Sequence, residues 1–99
     1  MNPTKLELLY LSTPDCNVCK VLRPKVEAMI SEHPPWTFTY VNLNESPAYR
    51  GKWMVFTVPT ILLLADGKEM NRFSRYIHLD ELTLAVERIQ SLSDPETGP

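Results

Sequence analysis

The chain has 99 residues, 43% of them hydrophobic and 22% charged. These values fit one globular domain with a modest core and weigh against disordered or membrane-embedded classes. Ten basic against twelve acidic residues leave a net charge of −2, so no cationic excess exists to drive phosphate-backbone binding, and nucleic acid is not an expected partner.

Met1 to Lys5 lead straight into an alternating apolar segment, without a signal-peptide core or small-residue cleavage site, which predicts a cytoplasmic product. No apolar run approaches the ~20 residues that cross a bilayer, so no membrane partner is expected. Leu6, Leu8, Leu9, Tyr10 and Leu11 form a short run that breaks at Ser12-Thr13-Pro14-Asp15 and reads as a buried strand. From Asn17 to Glu32, Val18, Leu22, Val26, Met29 and Ile30 recur at helical spacing. Pro24 interrupts that pattern without ending it, and a kinked or loosened helix is expected there. His33-Pro34-Pro35 closes the helix, because a residue before proline is pushed out of helical angles.

Trp36 to Leu43 alternates aromatic and β-branched residues with polar ones and reads as a second strand. Ser46-Pro47 opens a short helix reaching Trp53, weakened by Gly51. Thr57-Val58-Pro59-Thr60 then enters the run Ile61 to Leu64, suited to a central strand. Asp66-Gly67 signals a hairpin into a strand from Glu69 to Ser74. Leu82, Ala85, Val86, Ile89 and Leu92 mark a final amphipathic helix. The domain is thus expected to span residues 1–93, with 94–99 as a flexible tail. This β-α-β-α-β-β-α order predicts an α/β fold, a four-stranded mixed sheet flanked by helices on both faces.

Cys16 and Cys19 are the two cysteines, and they bracket Asn17-Val18 where the first strand gives way to the first helix. The first turn of a helix carries unpaired backbone donors and about half a positive charge, which stabilises a thiolate and draws its pKa below ~8.5. Cys16 at the helix start is therefore the expected nucleophile. Cys19, one turn further in, is the expected resolving thiol, near enough to displace a mixed disulfide. Three other readings stand beside this one. Two cysteines can simply pack in a core; a disulfide can be structural, although so short a loop restrains little of the unfolded chain; or the pair can hold a metal. Zinc needs four ligands, and His33 and His78 lie at no finger-like spacing from the pair, so no metal is expected.

The chain resembles the thioredoxin-like family from about Leu6 to Leu92. The resemblance rests on Cys16-Asn17-Val18-Cys19-Lys20 after a strand, on Pro24 within the helix, on Val58-Pro59-Thr60 before an apolar strand, and on the Asp66-Gly67-Lys68-Glu69 hairpin. It implies a thioredoxin fold and thiol–disulfide exchange with protein disulfides or dithiols. It also implies a cis bond before Pro59, which would aim the Val58 N–H and C=O at an extended substrate chain. Substrate contact falls to Asn17, Val18, Val58, Pro59 and Arg75, and electrons pass through the dithiol without a bound cofactor. Recycling by a reductase or a low-molecular-weight thiol is implied, and a monomer is the default.

The chain also departs from the family pattern. Asp15 precedes the pair where thioredoxin proper has tryptophan, Tyr10 replaces a buried carboxylate, and Arg75 takes the place of a glycine before the last helix. The run from Leu6 is read as the first strand, so the extra amino-terminal strand and helix of full thioredoxins are not expected. Nor does the Gly-Gly with which glutaredoxins hold glutathione follow the apolar strand. Asp15 either repels the neighbouring thiolate or caps the helix, and the cap is the preferred reading. Trp53 and Phe56 read as core under the second helix rather than as a docking rim, Trp36 and Tyr40 as sheet residues. His33 reads as a solvated helix-end residue, and His78 as a starter of the last helix ahead of Asp80 and Glu81. The rival to an oxidoreductase is a binding module of the same fold with little redox turnover, suggested by Tyr10 and Arg75.

Overall fold

The computed structural model describes residues 4–93; the expected tail at 94–99 lies outside the described residues. Among those residues the order is β1 (Leu6–Ser12), α1 (Asn17–Ser31), β2 (Thr37–Asn42), α2 (Ala48–Trp53), β3 (Thr60–Ala65), β4 (Lys68–Ser74) and α3 (Leu79–Ser93). The sheet order is β2-β1-β3-β4. β1 pairs in parallel with β2, across the α1 crossover, and antiparallel with β3, which pairs antiparallel with β4.

Side-chain alternation in the two central strands divides the core. Leu6, Leu8 and Tyr10 of β1 and Ile61 and Leu63 of β3 point to one face, where Val26, Met29 and Ile30 of α1 and Leu82, Val86 and Ile89 of α3 cover them. Leu9, Leu11, Leu62 and Leu64 point to the other face and meet Val41, Leu43, Val55, Tyr49 and Trp53 around α2. A strand buried on both faces has no polar side to alternate with, which is why β1 and β3 read as nearly unbroken apolar runs. Leu92 departs from the expected apolar stripe of α3: it is 80% exposed, one turn beyond the last buried position, Ile89.

The turns follow local chemistry. Asp66 and Gly67 hold φ values of 52° and 80°, the two left-handed positions of a two-residue hairpin. Asp66 is further fixed by a 2.8 Å bond from the Lys5 N–H to its carboxylate. α1 runs through Pro24 to a cap at Glu32. His33 is not a solvated residue. Its Nδ1 lies 2.8 Å from the Met29 carbonyl and its Nε2 3.1 Å from Glu87, so one ring joins the end of α1 to α3. α2 ends on Met54 in left-handed conformation (φ 52°). The Arg72 guanidinium on β4 donates to the carbonyls of Trp53 (2.6 Å) and Met54 (3.0 Å) and to both oxygens of Glu69. That clamp fixes the start of the segment running from α2 to Pro59. No helix among the described residues is long and apolar enough to cross a membrane.

Candidate functional site

The parallel β1–α1–β2 unit sets the site. β1 ends at Ser12, Thr13 and Pro14 turn the chain, and α1 starts at Asn17 over the edge of the sheet. Cys16 occupies the position immediately before the helix with extended backbone, and its sulfur accepts the Cys19 N–H at 3.2 Å. The cap is therefore the cysteine itself and not Asp15, which stands one residue too early and is exposed. The Thr13 hydroxyl beside Asp15 holds its carboxyl below the usual carboxylate range. It is thus ionised at neutral pH.

Cys16 and Cys19 are joined as a disulfide, with Cα atoms 5.2 Å apart. The two sulfurs differ in environment. Cys16 is half-buried, whereas Cys19 is buried against the α1–sheet core. Beneath Cys19, the fully buried Tyr10 hydroxyl donates to its carbonyl at 2.8 Å. Burial pushes the Tyr10 phenol up to about 12, with Tyr40 adding to the shift and Arg23 opposing it, so this side chain stays protonated and acts as a donor. Tyr40 stacks on Tyr10 with ring centres 6.2 Å apart, and the Arg23 guanidinium lies 3.8 Å from the centre of the Tyr40 ring. An arginine and two tyrosines are thus layered behind Cys19. Sequence reading registered Tyr10 as a lost carboxylate and missed this bond, because its partner is a backbone atom nine positions away.

Three of the other sequence-derived candidates, Asn17, Val18 and Arg75, line one groove. Asn17 and Val18, exposed on the first turn of α1, share with Arg75 a groove of about 560 Å³ completed by Val21, Leu22, Tyr76, Ile77 and His78. The Val58–Pro59 peptide bond is cis. Val58 is half-buried against both core clusters, and its N–H and C=O take no hydrogen-bond partner among the described residues. Pro59 is buried, and its carbonyl accepts the Arg75 N–H at 3.1 Å. Arg75 holds φ 64°, a conformation that costs a side-chain-bearing residue about 1 kcal/mol and suits glycine.

The segment before Val58 divides differently from expectation. Val55 is buried and Trp53 partly so, under α2, but Phe56 is 75% exposed and Met54 is also exposed. The left-handed Met54 reverses the chain, so that Val55 alone of the next two residues turns inward. His78 accepts the Leu82 N–H at the start of α3, with Asp80 and Glu81 in its first turn. His33 and His78 sit on separate features, and the described residues contain no cluster of three metal-ligating side chains.

The thioredoxin family model matches residues 1–88. The chain belongs to the thioredoxin family. It is 30% identical over 92 residues to the thioredoxin-like protein YdfQ of Bacillus subtilis, covering 93% of this chain and 82% of that one. With the thioredoxin of Chlamydia trachomatis it shares 39% identity over 75 residues, 76% of this chain and 74% of the relative. Among solved structures, thioredoxin 1 of Thermosipho africanus superposes with a TM-score of 0.81 at 29% identity, covering 88% of this chain and 97% of that one. Fasciola hepatica thioredoxin follows at 0.79 and 29%, covering 87% and 82%. The thioredoxin fold, a CxxC pair at disulfide distance and family membership together make this protein a thiol–disulfide oxidoreductase, and a binding module without turnover is not favoured. Thioredoxins act on protein disulfides and are recycled by reductases, which sets the class of its partners.

Proposed function

We propose that Cys16 is the attacking sulfur and Cys19 the resolving one. The observation that carries this assignment is their asymmetry: Cys16 caps α1 and reaches solvent, whereas Cys19 lies buried one turn inside. In the reduced protein, the free N–H groups and dipole of the α1 terminus favour a Cys16 thiolate. That thiolate attacks one sulfur of a substrate disulfide. The substrate S–S bond breaks, its second sulfur leaves as a thiolate that takes up a proton, and a Cys16–substrate mixed disulfide forms. Cys19 then releases its proton to water and attacks the Cys16 sulfur, expelling the second substrate thiolate, which is protonated in turn. Two electrons and two protons pass to the substrate, and the protein is left as the disulfide seen in the structure.

Val58 supports substrate alignment: it packs against the cluster that also holds Cys16 and Cys19, and its N–H and C=O, without partners among the described residues, can pair with an extended chain. Asn17, Val18, Pro59 and Arg75 border the same approach. The chemistry resides in the two sulfurs, so this reading needs no bound cofactor. A dithiol reductase or a low-molecular-weight thiol returns the pair to its reduced state. The cytoplasm, where thiols are kept reduced, suits that cycle, and the protein acts as a monomer in this scheme. Insulin reduction with dithiothreitol as electron donor tests the assignment. The wild type accelerates precipitation of the insulin chains, Cys16→Ser abolishes the acceleration, and Cys19→Ser accumulates a mixed disulfide. Turnover retained in Cys16→Ser overturns it.

A further inference from the structure

The groove beside Cys16 is mostly apolar, with Asn17, His78 and Arg75 as its polar lining. Val18, Val21 and Tyr76 are exposed along it, Tyr76 to 88%, and Leu22 and Ile77 line its floor. Its one permanently charged lining residue is Arg75, and no carboxylate lines it. Asp15 hydrogen-bonds with Thr13 instead, while Asp80 and Glu81 belong to the first turn of α3 beyond the groove. Arg75 makes one backbone bond, to Pro59, and its guanidinium has no hydrogen bond or ion pair among the described residues. Arg75 is thus an exposed arginine in a left-handed backbone conformation whose charge is available to a ligand in the groove.

We propose that Arg75 makes this protein select disulfides in peptide segments carrying a carboxylate two residues from the attacked cysteine, together with an apolar side chain on the same side that fills the groove. This rests on the exchange reading above and deepens it. The Arg75–Pro59 bond places the residue beside the Val58 backbone, where an extended substrate would pair. In such a chain, residues two apart point to the same side. A carboxylate two positions from the attacked cysteine therefore projects the way its sulfur does, toward the protein. A guanidinium binds a carboxylate through two parallel hydrogen bonds, and apolar walls that exclude water strengthen the pairing. A neutral partner leaves the charge solvated, and a lysine in the same place is repelled.

The test uses three disulfide-bridged peptides, identical except for Glu, Gln or Lys two residues after the attacked cysteine, with leucine four residues after it, on the same side of the extended chain. Single-turnover reduction by the prereduced protein is followed at low and high salt. The expected order is Glu over Gln over Lys, with Glu ahead of Lys by about three- to tenfold at low ionic strength and the gap closing in ~0.5 M salt. Arg75→Gln brings the Glu-to-Lys ratio to about 1, and Arg75→Lys restores a preference for Glu. Reduction of all three peptides at one rate by the wild type overturns the inference alone, as does a ratio unmoved by Arg75→Gln. Failure to reduce any of them overturns the exchange reading and this inference together. The wild-type salt series decides the matter even where a variant folds poorly.

Discussion

Replacing Tyr10 by phenylalanine separates the hydrogen bond behind Cys19 from the ring that carries it. The substitution keeps the aromatic contacts to Phe38 and Tyr40, at ring separations of 6.0 and 6.2 Å, and removes one hydroxyl whose partner among the described residues is the Cys19 carbonyl at 2.8 Å. A net intramolecular hydrogen bond contributes about 1 kcal/mol, and because the Cys19 carbonyl lies within the α1 hydrogen-bond ladder the expected loss stays near that value. In a domain of this length that lowers Tm by about 4–8 °C per kcal/mol. Tyr10→Ala also empties a fully buried ring site and is expected to cost about 3–5 kcal/mol, a large share of the ~5–15 kcal/mol that holds a domain together. Urea unfolding of the oxidised protein, with linear extrapolation, measures both variants. An alkaline series adds an independent readout. The Tyr10 phenol ionises near 10.0 when unfolded and at about 12 when folded. Its contribution is complete below pH 10 and disappears as pH climbs through 12. Tyr10→Phe removes that part of the alkaline loss. A phenylalanine variant as stable as the wild type at neutral pH, with the alkaline decline unchanged, refutes the reasoning.

The remaining predictions concern the two tertiary locks. The Met29 carbonyl, and then Glu87, raise the His33 pKa above its ordinary value, so the stability this ring contributes is complete below pH 6.5 and fades as pH rises through the raised value. His33→Gln is expected to flatten the stability profile across that window, and an unaltered profile in urea melts at stepped pH would show that the ring does not join α1 to α3. Arg72→Ala strips the carbonyls of Trp53 and Met54 of their donor and frees Glu69. With a third of the side chain exposed, the expected loss is about 1–2 kcal/mol. Amide hydrogen exchange should also accelerate from Met54 to Thr57, and unchanged exchange there would dissociate the clamp from the approach to Pro59.

The sequence by itself determined the elements whose signals are local. Apolar runs announced β1 and β3 because a doubly covered strand needs no polar face. Asp66-Gly67 specified its hairpin because both positions demand positive φ, and Cys16-Asn17-Val18-Cys19 placed two sulfurs one helical turn apart. The tertiary structure decided what those elements meet. Cys16 rather than Asp15 caps α1, since capping depends on where the chain leaves the sheet. The left-handed Met54 turned Phe56 outward against its hydrophobicity, and His33 found Glu87 only once α3 lay beside α1. Tyr10 reached the Cys19 carbonyl, and Arg72 the end of α2, through backbone atoms that carry no residue-specific mark in a sequence. Periodicity and turn chemistry act over a few residues and are written in order along the chain. Which donor finds which carbonyl is settled by packing, and packing exists only after folding.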